Sequence, residues 1–241
     1  MWTSFRLAVA ASIDLLLPPA CLLCGHLLPT GVDARSFCQC CLTAMTPPRQ
    51  AHCSWCAQPF PDATSNHLCG TCLQRPPPFS TVHAAGIYQG RLKEAVHKLK
   101  YRNQLTLAQP LGQFLGTAIA AAGSAFAPHR IIPVPLHPVR LRQRGYNQAL
   151  EVARPIAQLL DIPLDTNLLQ RTRKTQQQQG LSAIERRSNL RNAFALTSGA
   201  PALKILLVDD VMTTGETVRE CCRTLLAGGV DEVQVAVVGR A

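Results

Sequence analysis

The stretch Ile205-Leu-Leu-Val-Asp-Asp-Val-Met-Thr-Thr-Gly-Glu-Thr217 constrains the fold more than any other part of the chain. Residues 205–208 are continuously apolar and β-branched at both ends, the pattern of a parallel strand covered on both faces. Asp209 and Asp210 follow at the C-terminal end of that strand. In open α/β sheets ligands bind outside those strand ends, so the acidic pair faces the expected crevice.

Thr213, Thr214, Gly215 and Thr217 then lead into a helical pattern of Val218, Cys221, Cys222, Leu225 and Leu226. A phosphate fits such a turn: Gly215 lets the backbone approach, the first helical N–H groups point at the anion, and threonine hydroxyls add donors. The helix dipole contributes only about 0.3–1 kcal/mol, so affinity must come from converging hydrogen bonds. Carboxylates beside a phosphate cradle make sense when the ligand also carries a vicinal diol. For any two of these residues, caps of an ordinary strand-to-helix turn are the alternative. The whole string resembles the signature of type I phosphoribosyltransferases. That resemblance implies phosphoribosyl pyrophosphate with Mg2+ as ligand, Asp209 and Asp210 as ribose-binding acids, and Met212, Thr213, Thr214, Gly215, Glu216 and Thr217 as the 5-phosphate loop.

Four C-x-x-C pairs dominate the N-terminal third: Cys21/Cys24, Cys38/Cys41, Cys53/Cys56 and Cys69/Cys72. Two such knuckles complete a tetrahedral zinc site, so two structural Zn2+ ions are expected. Sequential pairing puts 13 residues between the knuckles of the first ribbon and 12 in the second, a weak internal repeat. Crossed pairing stays open, as does substitution of Cys41 by Cys40 or of a cysteine by His26 or His67. Disulfides or a redox role are the competing readings, and four regular knuckles without a credible export signal favour reduced, cytoplasmic metal binding. So short and apolar-poor a segment could hardly fold unaided, and structural zinc supplies about 10–16 kcal/mol of apparent binding energy.

The formal charge of +10 points to an anionic partner. Eight zinc thiolates and two zinc ions would leave about +6, concentrated in residues 140–144 and 171–191. Residues 1–17 imitate a signal peptide. Asp14 interrupts the apolar run and two prolines precede Ala20, so an amphipathic helix packed on the body is expected instead. No stretch is long enough to span a membrane.

A zinc module over 18–76 is followed by the stiff linker Arg75-Pro-Pro-Pro78 and a domain over 79–241. The periodicity predicts a strand over 81–88, helices over 91–101 and 105–122 with the start of the second displaced towards Pro110, and a strand over 131–135 in which Pro133 needs a position without a partner for its nitrogen. Lys93, His97, Lys98, Lys100 and Arg102 read as a solvated basic face. The segment 136–148 reads as a loop whose Arg140, Arg144 and Gly145, with Arg142, could hold pyrophosphate. Short strands over 168–170 and 193–196 flank a long basic insert, the pattern of an active-site lid, in which Arg171, Arg173 or Lys174 could neutralise the departing pyrophosphate. A late strand is expected over 232–238. Cys221 and Cys222 read as small buried hydrophobes.

Together the four knuckles, Pro133-Val-Pro-Leu-His137, Arg144-Gly-Tyr-Asn-Gln148, Thr175 with Gln178, Gly180-Leu-Ser182, Arg186, Asn189, Ala193-Phe194 and the phosphoribosyl signature resemble the ComF family, linked to natural competence and DNA uptake. The resemblance implies an α/β fold of the type I phosphoribosyltransferase kind, a mainly parallel sheet flanked by helices, behind a double zinc ribbon. Two functions are compatible with it: a Mg2+-dependent phosphoribosyltransferase whose acceptor the motifs do not name, or a non-catalytic competence factor that binds single-stranded DNA or a helicase partner. Few aromatics, 5% of residues, weaken a base-stacking mode for the second.

Overall fold

The computed structural model describes residues 18–29, 31–33, 36–46, 50–123, 126–173, 189–199 and 202–241. The helix expected over 1–17 lies outside them. The cysteine pairs alternate between a tight turn and a helix start. Cys21 and Cys24 sit on a turn in which Gly25 N–H donates to Cys21 O (2.9 Å), and Cys38 caps helix α1 (Gln39–Met45), its sulfur accepting from Cys41 N. Cys53 and Cys56 repeat the turn through Ala57 N–H and Cys53 O (2.9 Å), and Cys69 precedes helix α2 (Gly70–Gln74). A short antiparallel hairpin, β1 (Ala51–His52) and β2 (Pro59–Phe60), frames the second turn. The weak sequence repeat is thus one construction used twice.

Beyond the linker come β3 (Val82–Ile87), α3 (Gly90–Tyr101), a 3-10 turn (Leu105–Leu107), α4 (Ala108–Ala121), β4 (Arg130–Pro133), α5 (Pro138–Arg144) and α6 (Gln148–Leu160). They are followed by β5 (Leu169–Arg171), β6 (Phe194–Leu196), β7 (Lys204–Met212), α7 (Glu216–Ala227) and β8 (Glu232–Arg240). Four strands form one parallel sheet in the order β3-β8-β7-β4, while β5 and β6 pair antiparallel apart from it. The α/β class expected from the sequence is the one observed.

Two prolines illustrate how the chain accommodates missing donors. Pro110 occupies the third position of α4, where N–H groups have no intrahelical acceptor anyway, so the helix starts at Ala108, near the proline as expected. In β4 the even residues face β7, as Val134 N to Val208 O (2.8 Å) shows, and the odd ones face outward, as Ile131 N to Pro163 O (2.8 Å) shows. Pro133 therefore turns its nitrogen away from β7, as the sequence required.

Strand alternation divides the core in two. Leu206 and Val208 of β7 join Leu92, Val96 and Leu99 of α3 and the first cysteine group on one face; Ile205 and Leu207 join Cys221, Cys222 and the second cysteine group on the other. Cys221 and Cys222 are fully buried, as expected. Helices α4 and α6 meet at Gly112, where an added Cβ would lie 2.2 Å from Pro155 Cγ and 2.4 Å from Val152 O, so only glycine permits that approach.

Candidate functional site

A cleft of about 530 Å³ opens beyond the C-terminal ends of β4 and β7, the position at which a parallel sheet binds ligands. Its walls include Asp209, Asp210 and Thr217, the arginines Arg140, Arg144 and Arg171, and also Lys100, Tyr101 and Gln148. The fold thus brings together the acidic pair and three of the arginines singled out from the sequence.

The two acids stand on opposite faces of β7 because side chains alternate along a strand. The strand also runs further than the apolar pattern implies: β7 stays paired to β8 as far as Met212, while pairing with β4 ends at Val208. Asp210 is 4% exposed. Its Oδ1 accepts from Val211 N (2.6 Å) and from Lys100 Nζ (2.9 Å), and its Oδ2 is buried with no hydrogen-bond partner among the described residues. Burial alone would lower the Lys100 ammonium, but the Asp210 and Asp209 charges outweigh it and hold Lys100 above its usual range. Lys100 is therefore not part of a solvated basic face; it extends the buried stripe of Leu92 and Val96 at i+4 spacing and ends against Asp210.

Asp209 shows the opposite response. Enclosure and the neighbouring Asp210 charge raise its carboxyl to about 8. The folded state then binds a proton that the unfolded chain, with its ordinary value of 3.8, releases earlier. The stabilising share of that proton is complete below the unfolded value and disappears as pH rises towards 8. Asp209→Asn is accordingly expected to raise the thermal midpoint at pH 8 relative to wild type, with the gap closing as pH falls towards 4. A gap independent of pH in thermal melts would contradict this account.

The arginines arrive by different routes than expected. Residues 138–144 are not a loop but the short helix α5, capped by the His137 ring accepting from Val139 N (3.2 Å), opened by Pro138 and closed by Gly145 at φ +84°. Pro at the first position and glycine at the C-cap are the ordinary helix boundaries. The next residues anchor the cleft wall. Tyr146 OH donates to Leu99 O, and Asn147 donates to Val134 O (3.1 Å) while accepting from Ala149 N (3.1 Å) to cap α6. Arg171 ends β5 rather than lying on a loop; burial and the Arg140 charge both push its guanidinium down from its usual range. Converging cations of this kind call for an anion. Arg173 instead donates to Asn189 O (2.8 Å) and Arg191 O (2.6 Å), outside the cleft wall, and Lys174 lies outside the described residues.

Around the glycine turn, Thr213 and Thr214 are exposed, and Gly215 takes φ +75° as the residue before α7. A Cβ on Gly215 would meet Met212 Cε at 2.5 Å, so Met212, itself buried, packs beneath the turn. Glu216 points its carboxylate to Arg75, with bonds of 2.8 and 3.4 Å, joining α7 to the linker.

The thiols resolve the pairing question. Cys21, Cys24, Cys38 and Cys41 form one group and Cys53, Cys56, Cys69 and Cys72 the other, with all sulfurs of a group within 4.8 Å of one another. Pairing is therefore sequential, and Cys40, His26 and His67 belong to neither group. The Cys24–Cys38 and Cys56–Cys69 sulfur separations of 3.6 and 3.7 Å match the edge of about 3.8 Å implied by Zn–S bonds of about 2.3 Å in a tetrahedron. They are far longer than a disulfide of about 2.05 Å. Four adjacent thiols also resist joint ionisation: burial and the other three sulfurs push Cys41 up, while Cys21, against its burial, is drawn down to about 6 by backbone N–H groups. A divalent cation removes that conflict, so both groups fit Zn2+.

A parallel sheet with an acidic strand end, following two four-cysteine groups, defines a phosphoribosyltransferase-type domain joined to a double zinc ribbon. Residues 12–73 match the double zinc ribbon domain family and residues 147–240 the phosphoribosyl transferase domain family. The chain is 38% identical to Competence protein F of Haemophilus influenzae, over 72% of this chain and 78% of that protein. It is 35% identical to DNA utilization protein YhgH of Escherichia coli strain K12, over 92% of this chain and 96% of that protein. The chain belongs to the ComF family, which includes both proteins. Among solved structures, the purine phosphoribosyltransferase of Pyrococcus horikoshii is similar at 17% identity over 54% of this chain and 84% of that one, with a TM-score of 0.35. Adenine phosphoribosyltransferase of Leishmania donovani is similar at 14% identity over 60% and 68%, also with a TM-score of 0.35. Among the described residues no helix is long and apolar enough to cross a membrane.

Proposed function

We propose that the cleft binds phosphoribosyl pyrophosphate with Mg2+, and that the protein is a cytoplasmic phosphoribosyltransferase acting in DNA uptake on an acceptor still to be identified. The observation that carries this reading is the buried Oδ2 of Asp210, without a partner among the described residues, beside the Asp209 carboxyl and in the same cleft as Arg140, Arg144 and Arg171. Carboxylate oxygens suit ribose hydroxyls and a hard cation; guanidinium forks suit the pyrophosphate oxygens. Mg2+, when bound, supplies positive charge that relieves the Asp209–Asp210 repulsion and steadies the pyrophosphate. Lys100 holds one oxygen of Asp210 in an ion pair (2.9 Å), and the turn from Thr213 to Thr217 receives the 5-phosphate. Transfer would form a bond from the acceptor's nucleophilic atom to the anomeric carbon and break the bond from that carbon to pyrophosphate, with the arginines holding the departing anion.

No histidine lines the cleft among the described residues, so catalysis would rest on positioning and charge rather than on an imidazole base. The non-catalytic reading has its own observation. A second opening of about 610 Å³, lined by Lys93, His97, Lys98 and Arg102, lies on α3, whose end carries the exposed Tyr101 of the cleft rim. Single-stranded DNA or a helicase partner could bind there.

The two readings separate with an Asp209→Asn, Asp210→Asn double variant expressed in a naturally transformable host lacking its own copy. Loss of transformation together with loss of phosphoribosyl pyrophosphate binding is the expected result. Full transformation by a variant that no longer binds would remove the enzymatic reading and favour the basic surface.

A further inference from the structure

Arg240, the last residue of β8, is 5% exposed and lies beside Met212 in the sheet register. Its guanidinium reaches both halves of the molecule. On one side Nε donates to Cys56 O (2.9 Å), one Nη lies 3.9 Å from Cys56 Sγ, and the same nitrogen donates to Gln58 Oε1 (2.7 Å). On the other side the second Nη donates to Met212 O (3.1 Å), Thr213 O (2.6 Å) and Ala241 O. Cys56 belongs to the second cysteine group, and Met212 and Thr213 open the glycine turn.

The consequence follows from peptide geometry. In a planar trans peptide the carbonyl and the next N–H point in opposite directions, and no cis peptide occurs among the described residues. With the carbonyls of Met212 and Thr213 held by Arg240, the N–H groups of Thr213 and Thr214 face away from it. Neither N–H finds an acceptor among the described residues. Two successive free N–H groups beside a glycine at φ +75° form an anion-receiving concavity.

A second arginine ties the same cysteine group to the helix that follows the turn. Arg219, 3% exposed on α7, donates to Arg75 O and Pro76 O (both 3.3 Å) and lies 4.0 Å from Cys72 Sγ. The turn and its helix therefore rest on the metal module.

We propose that Arg240 is a positioning residue that couples the second cysteine group to the anion-facing turn, so that an intact metal site holds the Thr213 and Thr214 N–H groups ready for a phosphate. The identity of that anion rests on the phosphoribosyl reading above; the coupling itself does not. The fork is essential, because a lysine at 240 could reach one side but not bridge both.

The test is amide hydrogen exchange on the zinc-loaded protein, with zinc counted in every sample. Arg240→Gln is expected to keep two zinc ions per chain, with exchange at the hydrogen-bonded amides that flank the turn, those of residues 210–212 and 219, accelerated by about tenfold or more and exchange across residues 92–99 of α3 unchanged. Should Arg240→Gln fail to fold, Arg240→Lys is expected to show the same localised acceleration at smaller amplitude. Wild-type exchange at residues 210–212 and 219 in either folded variant, or acceleration spread evenly over the chain, overturns the coupling. Localised acceleration in a protein whose wild type binds no phosphoribosyl pyrophosphate would support the coupling and remove only the ligand reading.

Discussion

Cys72→Ser is expected to halve the zinc content, from two ions per chain to one, and to unfold the second ribbon. The sulfur of Cys72 is fully buried within its group, with no room for solvent to replace it as a ligand. A structural zinc site contributes about 10–16 kcal/mol of apparent binding energy. That is comparable to the whole stability of an ordinary domain, about 5–15 kcal/mol. The second ribbon has little regular structure of its own to offset the loss, because it consists of one short helix, a hairpin of two-residue strands and turns. Arg219 and Arg240 would lose the sulfurs they face, so the damage should spread to the start of α7 and the glycine turn. Cys40→Ser provides the contrast. Cys40 is exposed and outside both groups, so two zinc ions and wild-type stability are expected. Metal analysis with thermal melts checks both variants, and a Cys72→Ser protein still holding two zinc ions would refute the assignment of the group.

Lys100→Met should destabilise the domain by about 3–5 kcal/mol, the usual cost of removing one partner of a buried ion pair. The Lys100 side chain is 16% exposed and that of Asp210 5%, so solvent cannot stand in for the lost ammonium. The orphaned Asp210 would sit beside Asp209, whose carboxyl burial and mutual repulsion already raise to about 8. Pairing the change with Asp210→Asn should recover much of the loss, since a neutral amide no longer needs the cation. Denaturant unfolding of the two variants measures the difference. A Lys100→Met protein within about 1 kcal/mol of wild type would show that the pair contributes little.

How far the sequence led can be seen at particular residues. The central strand, the acidic pair and the four cysteine knuckles were legible because each depends on local spacing, four apolar residues before two acids and cysteines three apart, whereas which knuckles share a site is fixed only by the fold. Helix α5 was legible too, through Pro138 and Gly145, but its three arginines drew attention to charge and suggested a loop. Lys100 was hidden for a similar reason. Its neighbours Lys93, Lys98 and Arg102 made it one of a basic run, although its i+4 spacing from Val96 placed it on the buried side of the helix. Arg240 carried no local signal at all, since its partners Cys56 and Gln58 stand 184 and 182 residues away and only tertiary packing brings them together. The same applies to Arg75 and Glu216, 141 residues apart. Gln148 ends the Arg144-Gly-Tyr-Asn-Gln148 motif, yet only the fold shows that it is 8% exposed in the cleft wall, with an Oε1 that has no partner among the described residues.

The cleft and the metal module meet in one proposal, that an anionic sugar phosphate binds at the ends of β4 and β7. Calorimetric titration of the zinc-loaded wild-type protein with phosphoribosyl pyrophosphate and Mg2+ tests that proposal directly. Saturable binding at one ligand per chain, abolished by Asp209→Asn with Asp210→Asn, is the expected result; no binding heat from a folded wild-type protein holding two zinc ions would contradict it.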